Sequence, residues 1–175
     1  MLKIIAIAVV VILAGVLIYA ATRPDTFRIE RSATIKAPPE KIFAQVNDLK
    51  AWTAWSPWEK IDPALKRSYS GPQGGKGAAY AWEGNKEVGS GRMEITDTVP
   101  ASKITIKLDF LQPFEAHNTS EFAFARQGDA TMVTWAMFGP SPYVSKLMGI
   151  FFNMDRMVGG QFEQGLINLK SITEK

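Results

Sequence analysis

Three patterns of apolar and polar residues divide the chain. From Ile4 to Ala21 the run is unbroken and apolar, with no polar face. From Phe27 to Phe138, short blocks of alternating apolar and polar residues are separated by Gly-, Pro- and Asn-rich turns, the two-residue period of half-buried strands. From Pro142 to Lys170, apolar residues recur at three- and four-residue steps. Leu147, Ile150, Phe151, Met154, Met157, Val158, Phe162, Leu166 and Leu169 fall on one stripe, continued by Ile172, as on a single long amphipathic helix. Ser141 and Pro142 suit its start, a hydroxyl cap followed by a proline tolerated in the first turn. Gly149, Gly159, Gly160 and Gly165 interrupt it, each costing about 1 kcal/mol relative to alanine. Either something approaches the backbone there or the helix bends around Gly159 and Gly160.

The alternating region resolves into a strand from Phe27 to Ile35, a helix opening at Pro39-Glu40, and a short helix or turn carrying Leu49, Trp52 and Trp55. Ser56-Pro57-Trp58 ends that turn. Six further strands follow, over residues 66–70, 78–83, 91–99, 103–110, 115–126 and 130–138. A curved antiparallel sheet of this kind must hide one face, and the C-terminal helix is the only element large enough to cover it. The expected fold is therefore α+β, a curved antiparallel sheet wrapped around a long C-terminal helix and preceded by a transmembrane helix.

The leading run is about 18 residues, roughly 27 Å as a helix, at the lower limit for a bilayer core of about 30 Å. It reads as a retained anchor or as a secretory signal with Lys3 as its charged start; it is long for a signal core and lacks a clean Ala-x-Ala site. The division expected is residues 1–22 as anchor or uncleaved signal, 23–26 as linker and 27–175 as one domain. The placement expected is a single pass in a bacterial inner membrane. Arg23, Arg28, Arg31 and Lys36 after the span lean towards a cytoplasmic domain, and the short amino-terminal tail leans the other way.

Composition narrows the chemistry. Lys and Arg exceed Asp and Glu by only 20 to 17, without basic runs, which argues against a nucleic-acid partner. No cysteine is present, so disulfides, thiol catalysis and Cys-ligated metal are excluded. His117 is the sole histidine, which removes the usual zinc clusters; no metal or cofactor is expected. Nothing in the sequence marks an oligomeric state.

The segments Ala37-Pro38-Pro39-Glu40-Lys41-Ile42-Phe43, Trp52-Thr53-Ala54-Trp55-Ser56-Pro57-Trp58, Trp82-Glu83-Gly84-Asn85, Gly91-Arg92-Met93-Glu94-Ile95 and Val133-Thr134-Trp135-Ala136-Met137 resemble the helix-grip domains of the START and Bet v 1 superfamily, of polyketide cyclase or dehydrase type. The resemblance covers roughly residues 27 to 172. It implies an incomplete barrel gripping a helix, with a cavity between them for a hydrophobic or amphipathic small molecule. It does not imply one activity, because relatives include lipid carriers, receptors, cyclases and co-chaperone activators.

Strand parity then nominates the cavity wall. Trp55, Tyr80, Trp82, Met93, Phe110, Asn118, Ser120, Phe122, Trp135 and Met137, with Phe151, Met154 and Val158 from the helix, are the expected ligand contacts. The three clustered tryptophans either plug one end of the core or line the site. By the same parity His117 points outward. Asn118, His117 and Glu83 are the candidates for catalysis, Glu83 through a carboxylate pair with Glu94, although strand-end residues of this kind more commonly make surface pairs. The leading expectation is a membrane-anchored binder of a lipid-like or aromatic molecule, held to the bilayer by residues 4–21. A cyclase-type enzyme and a co-chaperone-like interaction module are the alternatives.

Overall fold

The computed structural model describes every residue from Met1 to Lys175. In chain order the elements are α1 (Leu2–Thr22), β1 (Thr26–Ile35), α2 (Pro39–Asn47), two 3₁₀ turns (Ala51–Ala54 and Pro57–Lys60), β2 (Lys66–Ser70), β3 (Ala79–Glu83), β4 (Ser90–Val99), β5 (Lys103–Gln112), β6 (Ala116–Gln127), β7 (Ala130–Pro140), α3 (Tyr143–Phe151) and α4 (Met154–Thr173). The seven strands form one antiparallel sheet in the order β1-β7-β6-β5-β4-β3-β2. Strands β2 to β7 are a simple meander, and β1 returns along β7. The strands expected from alternation are all present to within a residue or two, and β4, β5 and β6 show most clearly the period-two pattern that buries one face.

That face holds the core. Ile95, Ile104, Ile106, Phe122 and Val133 are fully buried, and cross-strand partners such as Ile95 with Ile106 and Phe122 with Trp135 stack in register. Phe162, Leu166 and Leu169 of α4 press onto it from the other side, with α4 lying over β1 and β7 beside α2 and the second 3₁₀ turn. This is the helix-grip arrangement.

The C-terminal stripe is two helices rather than one. Phe152 is extended (φ −120°, ψ 123°), and the Asn153 carboxamide accepts the Arg156 N–H at 2.9 Å, capping a new helix. The stripe serves two partners. Phe162, Leu166 and Leu169 dock on the sheet, with Val158 and Ile172 half-buried beside them, whereas Met148, Phe151, Met154 and Met157 remain 38 to 69% exposed and α3 packs against α1. Helix α4 runs unbroken through Gly159 and Gly160. Gly159 lies directly beneath the Arg31 guanidinium, which is held by Asp155 at 2.9 Å and Glu163 at 2.6 Å. A Cβ on Gly165 would stand 2.7 Å from the Trp135 ring, so that glycine permits close packing of helix on sheet.

Helix α1 is exposed along nearly its whole length; only Ala20 is buried. Its mean hydropathy of 3.0 makes it long and apolar enough to cross a membrane, a test that a signal sequence also passes.

The two halves of the stripe differ in energetic weight. Trp135→Ala is expected to cost about 3–5 kcal/mol, whereas Val144→Ala on α3, 66% exposed, changes stability by no more than about 0.5 kcal/mol. Urea unfolding of the full chain, followed by near-ultraviolet circular dichroism, checks both.

Candidate functional site

Because α4 covers the β1 and β7 side of the sheet and α2 packs against β6, the concave face around β3, β4 and β5 is left largely without a helix against it. A cavity of about 1130 Å³ fills the gap, large enough for a lipid-sized or polycyclic molecule. Tyr80, Trp82, Met93, Phe110, Asn118, Ser120, Trp135 and Met137 line it from the sheet, and Val158 lines it from α4. Phe151 and Met154 stand at its rim, where the chain passes from α3 to α4.

Two expected wall residues lie elsewhere. Trp55 and Phe122 are fully buried behind the wall, not on it. Trp55 sits 4.7 Å from Trp52 and 6.1 Å from Phe122 between ring centroids, and its indole N–H donates to the Gln45 carbonyl at 3.3 Å. The 3₁₀ geometry turns Trp52 and Trp58 towards the cavity and Trp55 into the core. The tryptophan segment therefore both plugs the core and lines the site.

Glu83 is not at the cavity. Its side chain is 69% exposed and pairs with Lys66 at 3.4 Å. It also cannot meet Glu94, since Glu83 lies opposite Ser90 and Glu94 opposite Ala79, four residues or about 13 Å along the strand. His117 points outward, as parity requires, and bonds Asp109 across the strand pair at 2.7 Å, with Glu115 at 3.3 Å from its other ring nitrogen.

The two inward polar residues of β6 differ. Ser120 is committed to the protein: its hydroxyl accepts the Trp135 indole N–H at 3.0 Å and donates to the Ala136 carbonyl at 3.3 Å. Asn118 is 9% exposed, and its carboxamide makes no side-chain hydrogen bond within the protein and opens onto the cavity. Its carboxamide lies over Gly139 of β7, where any Cβ would collide with it. A glycine inside a strand is the sequence mark of such a close approach.

Sequence reasoning did not single out Glu59. Its side chain, 6% exposed, reaches the cavity from the second 3₁₀ turn, accepting the Tyr80 hydroxyl at 2.8 Å and the Arg67 guanidinium at 2.6 Å. Burial first, and then the bond to Glu59, push the Tyr80 phenol well above its usual range, so it stays protonated and donates. The same carboxylate raises Arg67 further. Glu59 and Arg67 stand eight residues apart on different elements, and only the fold brings them together. No three His, Cys, Asp or Glu side chains converge to hold a metal ion.

The outer-face pair carries a pH signature. The hydrogen bond that the His117 imidazole donates to the Asp109 carboxylate raises the His117 pKa above its ordinary value near 6.5, so the pair stabilises the fold below that pH and the contribution fades as pH rises through the raised value. As the chain's sole imidazole, His117 gives one NMR titration curve. Its midpoint is expected above 6.5 and moves down in Asp109→Asn.

A family model described as polyketide cyclase / dehydrase and lipid transport matches residues 26–174. Among solved structures, protein CV1439 from Chromobacterium violaceum is 14% identical with a TM-score of 0.60, over 87% of this chain and 99% of that one. The di-domain ARO/CYC BexL from the BE-7585A biosynthetic pathway is 14% identical with a TM-score of 0.63; the match spans 90% of this chain and 53% of that one. The Aha1 dimer from Colwellia psychrerythraea is 18% identical with a TM-score of 0.56, over 85% of this chain and 96% of that one. No curated protein matches the chain. At these identities the structural likeness speaks for the fold alone, and the family is carried by the match over nearly the whole domain: the chain belongs to the polyketide cyclase / dehydrase and lipid transport family.

Proposed function

We propose that this chain is a membrane-anchored binding protein for a hydrophobic small molecule, lipid-like or aromatic, whose polar end is met by Asn118. The observation that carries the reading is an unpaired carboxamide set in the apolar wall of a cavity of about 1130 Å³. Tyr80, Trp82, Met93, Leu108 and Met137 supply the apolar walls, with polarizable methionines that adapt to ligand shape. Helix α1 supplies the anchor as a single pass, and residues 23–26 join it to the domain.

Membership of a family that includes both cyclases and lipid carriers supports a hydrophobic ligand and leaves turnover as the alternative. Glu59 is the one buried carboxylate on the wall from which general-base chemistry would start. Both its oxygens are occupied, by Tyr80 and by Arg67, which favours binding over proton transfer.

Photolabelling of the full chain in nanodiscs with a diazirine-bearing fatty acid tests the reading. Adducts are expected on Met93, Leu108 and Met137. Asn118→Leu lowers their yield about three- to tenfold, the loss of one buried hydrogen bond, while a diazirine alkane lacking the carboxyl labels both proteins equally. Adducts confined to α1 and the outer face would refute the cavity as the binding site.

A further inference from the structure

The anchor, the cavity mouth and two exposed apolar edges lie at one end of the sheet. Antiparallel register fixes this: the start of β1 faces the end of β7 (Thr26 with Pro140), and the end of β5 faces both the start of β4 (Ser90 with Gln112) and the start of β6 (Phe110 with Ala116). Helix α1 enters at that end, α3 leaves from it, and the β5–β6 hairpin turns there.

The depth of that end is set by α1. Its 21 residues make about 31 Å of helix, one bilayer core, so its last turn stands at the membrane boundary. Tyr19 and Arg23 carry the aromatic and basic pairing typical of that level, with the guanidinium 3.3 Å from the phenol oxygen. Helix α3 is fastened to the same stretch. The Tyr143 hydroxyl donates to the Leu17 carbonyl at 2.9 Å, the Ser141 N–H donates to the Asp25 carbonyl at 2.7 Å, and Lys146 pairs with the Asp25 carboxylate.

At this depth α3 turns an apolar stripe away from the protein. Val144, Met148 and Phe151 follow i, i+4, i+7 spacing and are 66, 38 and 69% exposed. Across the mouth, Leu111 and Phe114 of the β5–β6 hairpin are 55 and 67% exposed. The cavity opens between these edges, for Pro113 and Glu115 line it from the hairpin and Phe151 and Phe152 from the end of α3. Soluble surfaces rarely gather large apolar side chains in this way.

We propose that this end of the sheet is a lipid-facing portal: α3 and the β5–β6 hairpin tip insert at the headgroup–acyl boundary, and the ligand enters the cavity from the leaflet rather than from water. The portal rests on the anchored-binder reading and adds to it a second, non-spanning membrane contact and a route. An interfacial helix of this kind buries its apolar face about 5–10 Å into the boundary.

The absence of cysteine allows single-site labelling. Full-length variants Val10→Cys, Phe114→Cys, Val144→Cys and Asp129→Cys, the last in the β6–β7 turn, carry an environment-sensitive NBD label in phosphatidylcholine–phosphatidylglycerol vesicles containing lipid with a nitroxide at acyl carbon 5. Labels at 114 and 144 are expected to be quenched at least about twofold, as befits residues at that depth, and the label at 129 to be unaffected. Blue-shifted, water-free emission at 10 with labels 114 and 144 in water overturns the portal and leaves the anchor standing. Emission at 10 typical of water overturns the anchored reading and the portal with it. The double variant Phe114→Asp, Val144→Asp tests the route: photolabelling of the cavity by vesicle-borne diazirine fatty acid should begin about threefold more slowly, since both apolar contacts with the boundary are replaced by charges, while labelling in detergent reaches the wild-type yield. Equal initial rates from vesicles would overturn leaflet entry.

Discussion

The packing of Trp135 is the interaction on which the rest of the domain depends. Its ring stacks on Phe162 of α4 at 4.2 Å and 14°, and on Phe122 of the neighbouring strand at 4.8 Å and 27°. Edges of Trp55, Trp58 and Trp52 meet it at 5.5, 5.7 and 6.0 Å. Aromatic pairs at such distances contribute beyond their buried area. One side chain thus joins the sheet, the C-terminal helix and the tryptophan segment, and Gly165 lets the helix come close enough to do so. Ser120 belongs to the same assembly, because it satisfies the one polar atom of the indole.

Drawing α4 onto Trp135 has a structural consequence. The helix is held at the β1 and β7 side, reinforced by Arg31 bridging to Asp155 and Glu163, and the middle of the sheet is left to the cavity. There the polar groups are unequal. Ser120, Tyr80 and Glu59 are tied into the protein, and their bonds hold the wall rigid. Asn118 alone among the inward residues of β6 keeps its hydrogen-bonding capacity free. Its neighbour Gly139 leaves the space that this side chain occupies.

Much of this was legible in the residues. Alternation placed the strands, and parity along β6 put Asn118 and Ser120 inside and His117 outside, because period-two patterning leaves no freedom once one face is buried. The stripe from Leu147 to Ile172 was visible but misleading. A helical period records that residues share a face, not that they share a partner, and Asn153 could cap a second helix without disturbing that period. Trp55 and Phe122 failed for a related reason: an inward position does not distinguish a core residue from one on a cavity wall. Glu59 was hidden because its partners Tyr80 and Arg67 come from separate strands, a pairing that no local spacing encodes.

The domain has an aromatic core at one side of the sheet and an open cavity at the other, with its mouth where the apolar helix α1 joins it. Whether the cavity holds a ligand is read by native mass spectrometry of the full chain, released from membrane vesicles without prior delipidation. The expected result is a population carrying one small hydrophobic molecule, retained on mild activation in the wild type and shed more readily in Asn118→Leu, which lacks the carboxamide on the cavity wall. A bare chain, or a lipid adduct equally retained in both proteins, would contradict it.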